Sequence, residues 1–244
     1  MPNMITEIGQ VEAIFRYPVK SMAGERLEAC VLGWHGLEGD RRFAFRRVSE
    51  RGNFPWLTAG QFPELVSFVP LRNSNASRER PTHIRTPDGT EMDMFGDDLA
   101  AEIGRRYGAP VQMMEMKHGI FDEACISVIA SATVQEIARL SGVSADLRRF
   151  RPNVVIRLTD PLPFQEDSWV GTSISFGEGD DAPTVAFTMR DIRCSMVNLD
   201  PDSAVPSPEV LKTIVRVNDN NAGIYATVTR VGRLTDGQRV FLLR

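Results

Sequence analysis

Apolar and polar residues alternate along most of the first third of the chain, which is the pattern of β-strands. The segments ITEIGQVEAIFRYPV, RLEACVLGW and RRFAFRRVS are rich in Val, Ile and Phe, and Gly or Pro residues separate them. A period of two residues directs successive side chains to opposite faces of a sheet. The pattern therefore predicts three strands, and the breaks between them suggest an antiparallel meander.

The pattern changes after these strands. Residues 72 to 90 are polar and end in an Asp-Gly pair, which predicts a loop leading into a hairpin. GDDLAAEIGRRYG places acidic residues early and arginines late around spaced apolar residues, as expected of a short helix whose charges oppose its dipole. The middle of the first half is therefore expected to contain a loop, a hairpin and one helix.

The second half of the sequence mixes short strands with two further helices. CISVIAS predicts a buried strand, and SATVQEIARLSG predicts a helix that Ser131 caps and Gly142 ends. SPEVLKTIVRV predicts another helix, with Pro208 in its first turn. Strands are expected at the remaining apolar segments, namely NVVIRL, SISF, TVAFTM, IYATVTRVG and RVFLL.

Many short strands with only three modest helices favour a mainly β fold of the α+β type, built as a barrel or sandwich rather than as a doubly wound sheet. The composition changes near residue 118. We therefore expect two domains, a β-rich N-terminal domain at residues 1–117 and a second domain at residues 118–244.

Composition and charge limit the classes of function. The formal net charge is -4 and hydrophobic residues make up 42% of the chain, so no overall positive field favours nucleic acid as a partner. The longest apolar run, ACISVIASATV, is shorter than the roughly 20 residues that cross a membrane, so no membrane association is expected. Three widely spaced cysteines suggest neither a disulfide framework nor a zinc site, which fits a cytoplasmic protein.

One of these cysteines lies in a chemically suggestive segment, MRDIRCSMVNLDPDS. Cys194 follows an apolar strand and precedes a turn, and Arg190 and Arg193 lie nearby, where they would favour the thiolate. The thiol is therefore a candidate nucleophile or metal ligand, although a free cysteine is most often a small core residue. Cys30 and Cys125 lie within apolar segments and are expected in the core.

Two further groups of residues suit the binding of an anion. In RRFRPNVVI, Arg151 and Asn153 flank a rigid proline, and a planar guanidinium beside an amide can hold a phosphate or the edge of a heterocycle. Lys20 and Ser21 follow the first strand, and a hairpin-like return would bring them to Arg41. The alternative for the first group is a basic helix end that runs into a strand, and the alternative for the second group is a solvated strand end.

The order of these segments resembles that of a MOSC domain protein, whose name refers to the C-terminal domain of molybdenum-cofactor sulfurases. YPVKSMAGERLEACVLGWHGLEGDRRFAF resembles the N-terminal β-barrel region that precedes the MOSC domain. FRPNVVI, EDSWVG, IRCSMVNLDPDS and GRLTDGQRVFLL resemble the MOSC domain itself. The chain is also similar to the mitochondrial amidoxime-reducing component.

This resemblance implies a mostly β fold that binds a pyranopterin molybdenum cofactor. By motif position, Cys194 would be the metal ligand and the catalytic residue. The resemblance assigns cofactor binding to Lys20, Ser21, Arg41, Arg151, Asn153 and Arg193. It implies an oxidoreductase that reduces small N-hydroxylated or N-oxygenated substrates and receives electrons from a separate donor protein, because the chain has no cysteine spacing for an iron–sulfur cluster.

The sequence also departs from the amidoxime-reducing relatives. Val197 and Asn198 replace a Thr-Thr pair, and Gly60 replaces an arginine two residues after Thr58. Two other functions therefore stay open. The first is a non-catalytic carrier of molybdenum cofactor, or of sulfur held as a persulfide on Cys194. The second is a cysteine hydrolase, which needs a histidine beside Cys194.

Overall fold

A computed structural model describes residues 5–72 and 80–244 of the protein. Its strands, in chain order, are β1 Ile5–Arg16, β2 Glu25–Leu27, β3 Ala29–Gly33, β4 Gly36–Leu37, β5 Phe43–Arg47, β6 Val69–Leu71, β7 His83–Arg85, β8 Glu91–Asp93, β9 Val111–Glu115, β10 Ile126–Ala130, β11 Val154–Leu158, β12 Ser173–Phe176, β13 Thr184–Ile192, β14 Asn221–Arg230, β15 Gly232–Thr235 and β16 Arg239–Leu243. The α-helices are α1 Asp97–Tyr107, α2 Ser131–Ser141 and α3 Glu209–Asn218.

A closed barrel of seven strands forms the larger part of the fold. The strands follow the order β11-β10-β14-β13-β12-β16-β1, a further pairing between β11 and β1 closes the ring, and β2 lies beside β1. The mainly β class with a barrel is thus confirmed. At Gly9 the register of β1 against β16 shifts, and a Cβ there would lie 2.1 Å from the Arg157 carbonyl oxygen. Glycine is therefore needed where β1 bends between its two partners.

The barrel interior is filled by apolar side chains that alternate with outward-facing ones along each strand. Val11 and Ile14 of β1 are fully buried there, together with Trp169 and Phe176 from the second half. A second apolar layer lies between the barrel and helices α2 and α3. The first strand of the chain is therefore part of the same core as the MOSC-like segments.

The rest of the N-terminal half is built from small sheets. These are β15-β3-β4, which includes one strand from the second half, β5-β9, and β6-β7-β8. A separate apolar core joins β5, β7 and α1, and its members include Phe43, Phe45, Phe68, Leu99 and Ile103. The domain boundary between residues 117 and 118 stays a prediction.

Two details of the expected secondary structure are wrong. The first three predicted strands do not form a meander, because β1 pairs with β2 whereas β5 pairs with β9. Residue Ser131 is the first residue of α2 and not its cap, since the N-cap is Ala130, which offers no side chain to the helix.

The other local predictions are confirmed, except that Pro208 is the N-cap of α3 and not a residue of its first turn. All three helices form, and α2 ends at Gly142 in the left-handed conformation, which glycine adopts without strain. Residues Asp88 and Gly89 connect β7 and β8 as a hairpin, while residues 73–79 of the predicted loop lie outside the described residues. Within the described ranges, none of the helices is long and apolar enough to cross a lipid bilayer.

A buried carboxylate lies at the start of α2. Glu166 is fully buried and accepts hydrogen bonds from Ala130 N at 3.2 Å and from Thr133 Oγ1 at 2.9 Å. Burial raises the pKa of Glu166 to about 7, because the charged form loses its hydration. The start of the helix is thus hydrogen-bonded to an acidic side chain from a distant part of the sequence.

We expect Glu166→Gln to reduce the pH dependence of stability. An acid whose folded-state pKa is raised stabilises the fold least when it is ionised. The contribution of Glu166 to the free energy of unfolding of the wild type should therefore fall by about 3 kcal/mol as the pH rises from 4.5 to above 7. Urea denaturation at pH 5, 6, 7 and 8 measures the fall. A variant with the same pH profile as the wild type would contradict this assignment.

Candidate functional site

A cleft with a volume of about 590 Å³ lies between the N-terminal loops and the end of β13. Its walls bring together six of the seven residues that the sequence predicted: Lys20, Ser21, Arg41, Arg151, Arg193 and Cys194. The seventh, Asn153, is buried and contacts Arg41 through its side chain. Segments far apart in the sequence therefore meet in one cavity, as the anion-pocket hypothesis requires, while the roles of the individual residues stay predictions.

The Cys194 thiol is exposed and lines the cleft. Strand β13 ends at Ile192, and Cys194 precedes a short 3-10 helix at Ser195–Asn198. The side chains of Asp191 and Arg193 are buried, whereas those of Ile192 and Cys194 are exposed, so the two-residue alternation of the strand continues through the cysteine. Strand geometry thus directs the sulfur outward. Cys30 is buried and Cys125 half-buried, so neither shares its exposure.

The two arginines near Cys194 in sequence are engaged elsewhere. Arg193 donates from Nη1 to Phe150 O at 2.7 Å and from Nε to Ala222 O at 2.7 Å, and it pairs with Asp191. Arg190 pairs with Asp167 and donates to Asn218. These guanidinium groups hold the end of the strand in place.

Lys20, Arg41 and Arg151 line one side of the cleft, which we call the basic wall. An aromatic ring lies between two of its guanidinium groups. The Tyr17 ring centroid is 5.0 Å from Cζ of Arg41 and 4.1 Å from Cζ of Arg151. Both distances are within the range of cation–π attraction. Burial raises the pKa of Tyr17, so the phenol stays neutral. The ring therefore keeps two cations apart and yet close to the same cavity.

Asp40 and Asn153 join the two halves of the chain beneath this wall. Asp40 is 1% exposed, accepts a hydrogen bond from Tyr17 N at 2.7 Å and forms an ion pair with Arg41. Asn153 donates to Asp40 Oδ2 at 3.0 Å and accepts from Ser127 N at 3.1 Å. Every polar atom of these two side chains thus contacts another part of the protein, which fixes the guanidinium of Arg41.

The pKa values of the two central arginines shift in opposite directions. Burial alone would lower the pKa of Arg41, but attraction to the adjacent Asp40 carboxylate, together with Tyr17 and Asp122, more than compensates and raises it. Burial lowers the pKa of Arg151 to about 10, because Arg151 has no such partner. Its Nη1 donates to Met22 O at 2.6 Å, while its Nη2 is buried without a hydrogen-bond partner among the described residues. Among the described residues, Arg151 therefore forms no ion pair of the kind that Arg41 forms with Asp40.

Lys20 adds a third positive group to the same wall. Its Nζ donates to Asp122 Oδ1 at 2.7 Å and to Ile120 O at 3.3 Å. Burial lowers the pKa of Lys20, and the attraction of Asp122 only partly offsets this effect. Both acceptors lie at the junction of the two halves, so a segment that is distant in sequence holds Lys20 in place.

The backbone is strained at three of the predicted residues. Ser21, Arg41 and Arg151 have φ values of 68°, 50° and 49°. Residues other than glycine rarely adopt this left-handed region, and each such position costs about 1 kcal/mol or more. Strain of this kind concentrates at functional sites, where the surrounding structure enforces it.

The residues that depart from the amidoxime-reducing pattern also lie around the cleft. Thr58, Gly60 and Val197 line it, and a Cβ at Gly60 would meet only Thr58 Oγ1, at 3.6 Å. Asn198 is buried and accepts a hydrogen bond from Leu211 N. The glycine thus leaves open space where the relatives carry an arginine.

No histidine lines the cleft within the described parts of the chain. The rings of His35 and His118 contact each other, with their centroids 3.9 Å apart and their planes tilted by 45°, and His83 contacts Thr82. A cysteine hydrolase needs a base within hydrogen-bond reach of the thiol. The arrangement around Cys194 therefore gives no support to a hydrolase.

Sequence reasoning missed several members of this site. Tyr17 and Asp40 begin the segments YPVKS and DR, which contain predicted site residues. Their position in the sequence is the only signal that places them near the site. Ser127, Asp191 and Tyr225 also line the cleft. Burial raises the pKa of Asp191 although Arg193 is its partner. No local signal in the sequence indicated that these three side chains meet.

The residues present fit a cofactor that has a phosphate, a flat heterocycle and a metal. Arg151 Nη2 is an unpartnered buried donor, which a phosphate oxygen would satisfy. Hydroxyl groups of Ser21, Ser127 and Tyr225 line the same cleft and suit the edge of a heterocycle. The exposed Cys194 thiol offers a soft ligand of the kind that molybdenum–sulfur chemistry uses.

Comparison with known proteins assigns this arrangement to a class. The chain is similar along 99% of its length to the crystal structure of the YUAD protein from Bacillus subtilis, of which it covers 98%, with a TM-score of 0.54 and 14% sequence identity. This likeness shows a shared fold. Two further structures are more distant. One is described as a hypothetical protein, with a TM-score of 0.45, 9% identity, and coverage of 97% of this chain and 68% of the other. The other is YiiM from Geobacillus stearothermophilus, with a TM-score of 0.37, 16% identity, and coverage of 49% of this chain and 54% of the other.

Family models complete the assignment. The model of the MOSC domain matches residues 115–241, and the model of the MOSC N-terminal beta barrel domain matches residues 8–122. The protein belongs to the MOSC domain family, which confirms the resemblance of its motifs. No curated protein sequence gives a significant match.

We expect Asp40→Ala to destabilise the protein by about 3–5 kcal/mol, because it leaves the buried guanidinium of Arg41 without its carboxylate. Asp236→Ala is the matched control, since it breaks the exposed ion pair with Arg26 and should cost less than about 1 kcal/mol. Urea denaturation followed by fluorescence measures both values. Equal stability of the two variants would show that the buried network does not hold the halves together.

Proposed function

We propose that the protein binds a molybdenum pyranopterin cofactor in the cleft and reduces N-hydroxylated or N-oxygenated compounds there. One observation carries the proposal. An exposed thiol and a guanidinium group with one buried nitrogen that lacks a partner among the described residues line the same cavity, between two halves that both match the MOSC family. A cofactor with a phosphate at one end and a thiolate-binding metal at the other satisfies both groups at once.

The basic wall would hold the phosphate. Arg151 would donate from Nη2, and Lys20 and Arg41 would add positive charge from fixed positions. Because Asp40, Asp122 and the ring of Tyr17 already orient these cations, little side-chain entropy is lost when the anion binds. Strain at Arg41 and Arg151 is consistent with a wall built for a ligand.

The thiolate of Cys194 would be the protein ligand to molybdenum. Its position at the end of β13, after a buried Asp191 and a buried Arg193, makes the sulfur rigid with respect to the barrel. Bound molybdenum would supply two-electron oxygen-atom chemistry, and the protein would bind and orient the reactants. The overall reaction cleaves the N–O bond: R–NHOH, two electrons and two protons give R–NH₂ and water.

The electrons would come from a separate donor protein, and the substrate is a small molecule. No group of three or more metal-ligating side chains occurs among the described residues, so the thiolate would have to act together with the cofactor's own ligands. The openness of the rim at Gly60 supports access by a substrate from solvent.

A carrier of cofactor or of sulfur is the second candidate, because the same exposed thiol would hold a persulfide. Turnover separates the two functions. A protein that retains stoichiometric molybdenum and reduces benzamidoxime with reduced methyl viologen is an enzyme. A protein that binds cofactor, or accepts sulfur from a persulfide donor, without any turnover is a carrier.

We expect Cys194→Ala to lose most of its molybdenum when it is produced in a host that makes the cofactor, because the metal loses its protein ligand. Cys125→Ala is the control, since that thiol lies outside the cleft lining. Elemental analysis of both purified proteins and of the wild type checks the result. Equal molybdenum content in the Cys194 variant and the wild type would refute the ligand assignment.

We expect Arg151→Gln to weaken the binding of inorganic phosphate to cofactor-free protein by roughly tenfold or more, since a hydrogen bond to a charged group contributes about 1.5–3 kcal/mol. Arg148→Gln is the matched control, because Asp146 and Asp202 already pair with that guanidinium. Titration calorimetry gives both dissociation constants. An unchanged constant for the Arg151 variant would place the anion elsewhere.

A further inference from the structure

We propose that Ile192 and Met189 form a subsite that binds the apolar body of the substrate, so that the protein prefers N-hydroxylated compounds bearing an aromatic ring over small aliphatic ones. This inference rests on the proposed function. It goes beyond that function because it names the part of the substrate that this protein recognises and the residues that recognise it.

Ile192 is the most accessible large apolar side chain in the described part of the chain. It is 71% exposed and lines the cleft. Ile192 and Cys194 are two residues apart in extended chain, with the buried Arg193 between them. Residues two apart on a strand point to the same face and lie about 7 Å from each other. The isoleucine is therefore adjacent to the sulfur, on the side open to solvent.

Irregularities in β13 direct these side chains toward the cleft. The register of β13 against β14 shifts between Phe187 and Met189 and again between Arg190 and Ile192. Bulges of this kind re-aim side chains and are frequent beside active sites. Met189 is 43% exposed and also lines the cleft. Two local irregularities in one strand thus bring two apolar side chains to the same cavity.

The chemistry of this surface suits a flat ring. Met189 is paired in register with Tyr225 of β14, which also lines the cleft. A thioether makes favourable contacts with aromatic rings and adapts to their shape, and a branched side chain packs against a ring face. An aromatic substrate would contact all three residues, whereas a methyl-sized substrate would leave most of their surface in water.

Charge separates this surface from the basic wall. The nearest cations in sequence, Arg190 and Arg193, are paired with Asp167 and Asp191. Arg151 Nη2, a buried donor without a hydrogen-bond partner among the described residues, belongs instead to the wall assigned to the phosphate. An uncharged apolar ring therefore meets no unpaired charge at Ile192, while an anionic group is attracted to the other wall.

The test compares two substrates that share the reacting group. Benzamidoxime and acetamidoxime are reduced by molybdenum-loaded wild type, Ile192→Ser and Val215→Ser, with reduced methyl viologen as the electron source. Val215 is 52% exposed on α3 and does not line the cleft, so it is a matched control. We expect Ile192→Ser to lower kcat/KM for benzamidoxime roughly tenfold and for acetamidoxime less than twofold, with no change in Val215→Ser.

Binding without turnover gives an independent readout. Calorimetry of benzamidoxime with the oxidised, molybdenum-loaded protein, without reductant, should show a dissociation constant raised roughly tenfold in Ile192→Ser. Equal losses on both substrates, or unchanged values on both, would overturn the subsite. A defect that appears only when a protein donor replaces methyl viologen would also overturn it, since Ile192 would then contact the donor.

The two levels of the proposal fail in different ways. If the loaded wild type reduces neither substrate, the oxidoreductase function fails, and the calorimetric comparison alone decides the subsite. If the wild type reduces both substrates but the isoleucine variant keeps the same preference, the function stands and the subsite fails.

Discussion

The cleft depends on one buried interaction, the ion pair between Asp40 and Arg41 with Asn153 bonded to both. Asn153 directly precedes β11 of the barrel, whereas Asp40 lies in the N-terminal half. A buried pair of charges is weak as a source of stability, because desolvation opposes the attraction. Its value here is geometric, since it fixes a guanidinium group at the boundary where the two halves form a cavity.

The other features of the basic wall follow from this constraint. Tyr17 receives its place from a backbone hydrogen bond to Asp40, and its ring then separates Arg41 from Arg151. Left-handed backbone at both arginines turns the chain so that the side chains meet across the ring. Of these two arginines, Arg41 is paired with Asp40, whereas Arg151 forms no ion pair with another described residue.

Local patterns in the sequence predicted most of the elements and the composition of the site. Alternation identified the strands because each barrel strand buries one face, and helix ends were recognisable from Gly142 and Pro208. Pairing could not be predicted, since nothing in β5 specifies β9 rather than a sequence neighbour. The contact of Glu166 with the start of α2 could not be predicted, because Glu166 lies 33 residues from Thr133. The motifs indicated Cys194 and Arg151, but their partners came only from the fold.

The position of β1 bears on how the protein reaches its native state. Ile5 pairs with Leu243, so an early strand and a late one are neighbours in the same ring. Contacts between residues so distant in sequence carry a large loop-closure entropy, and folds that depend on them form slowly. During synthesis β1 therefore keeps one unpaired, aggregation-prone edge until β16 has been made. Chaperone dependence and incomplete barrels are the expected weaknesses of this topology during production in a host cell.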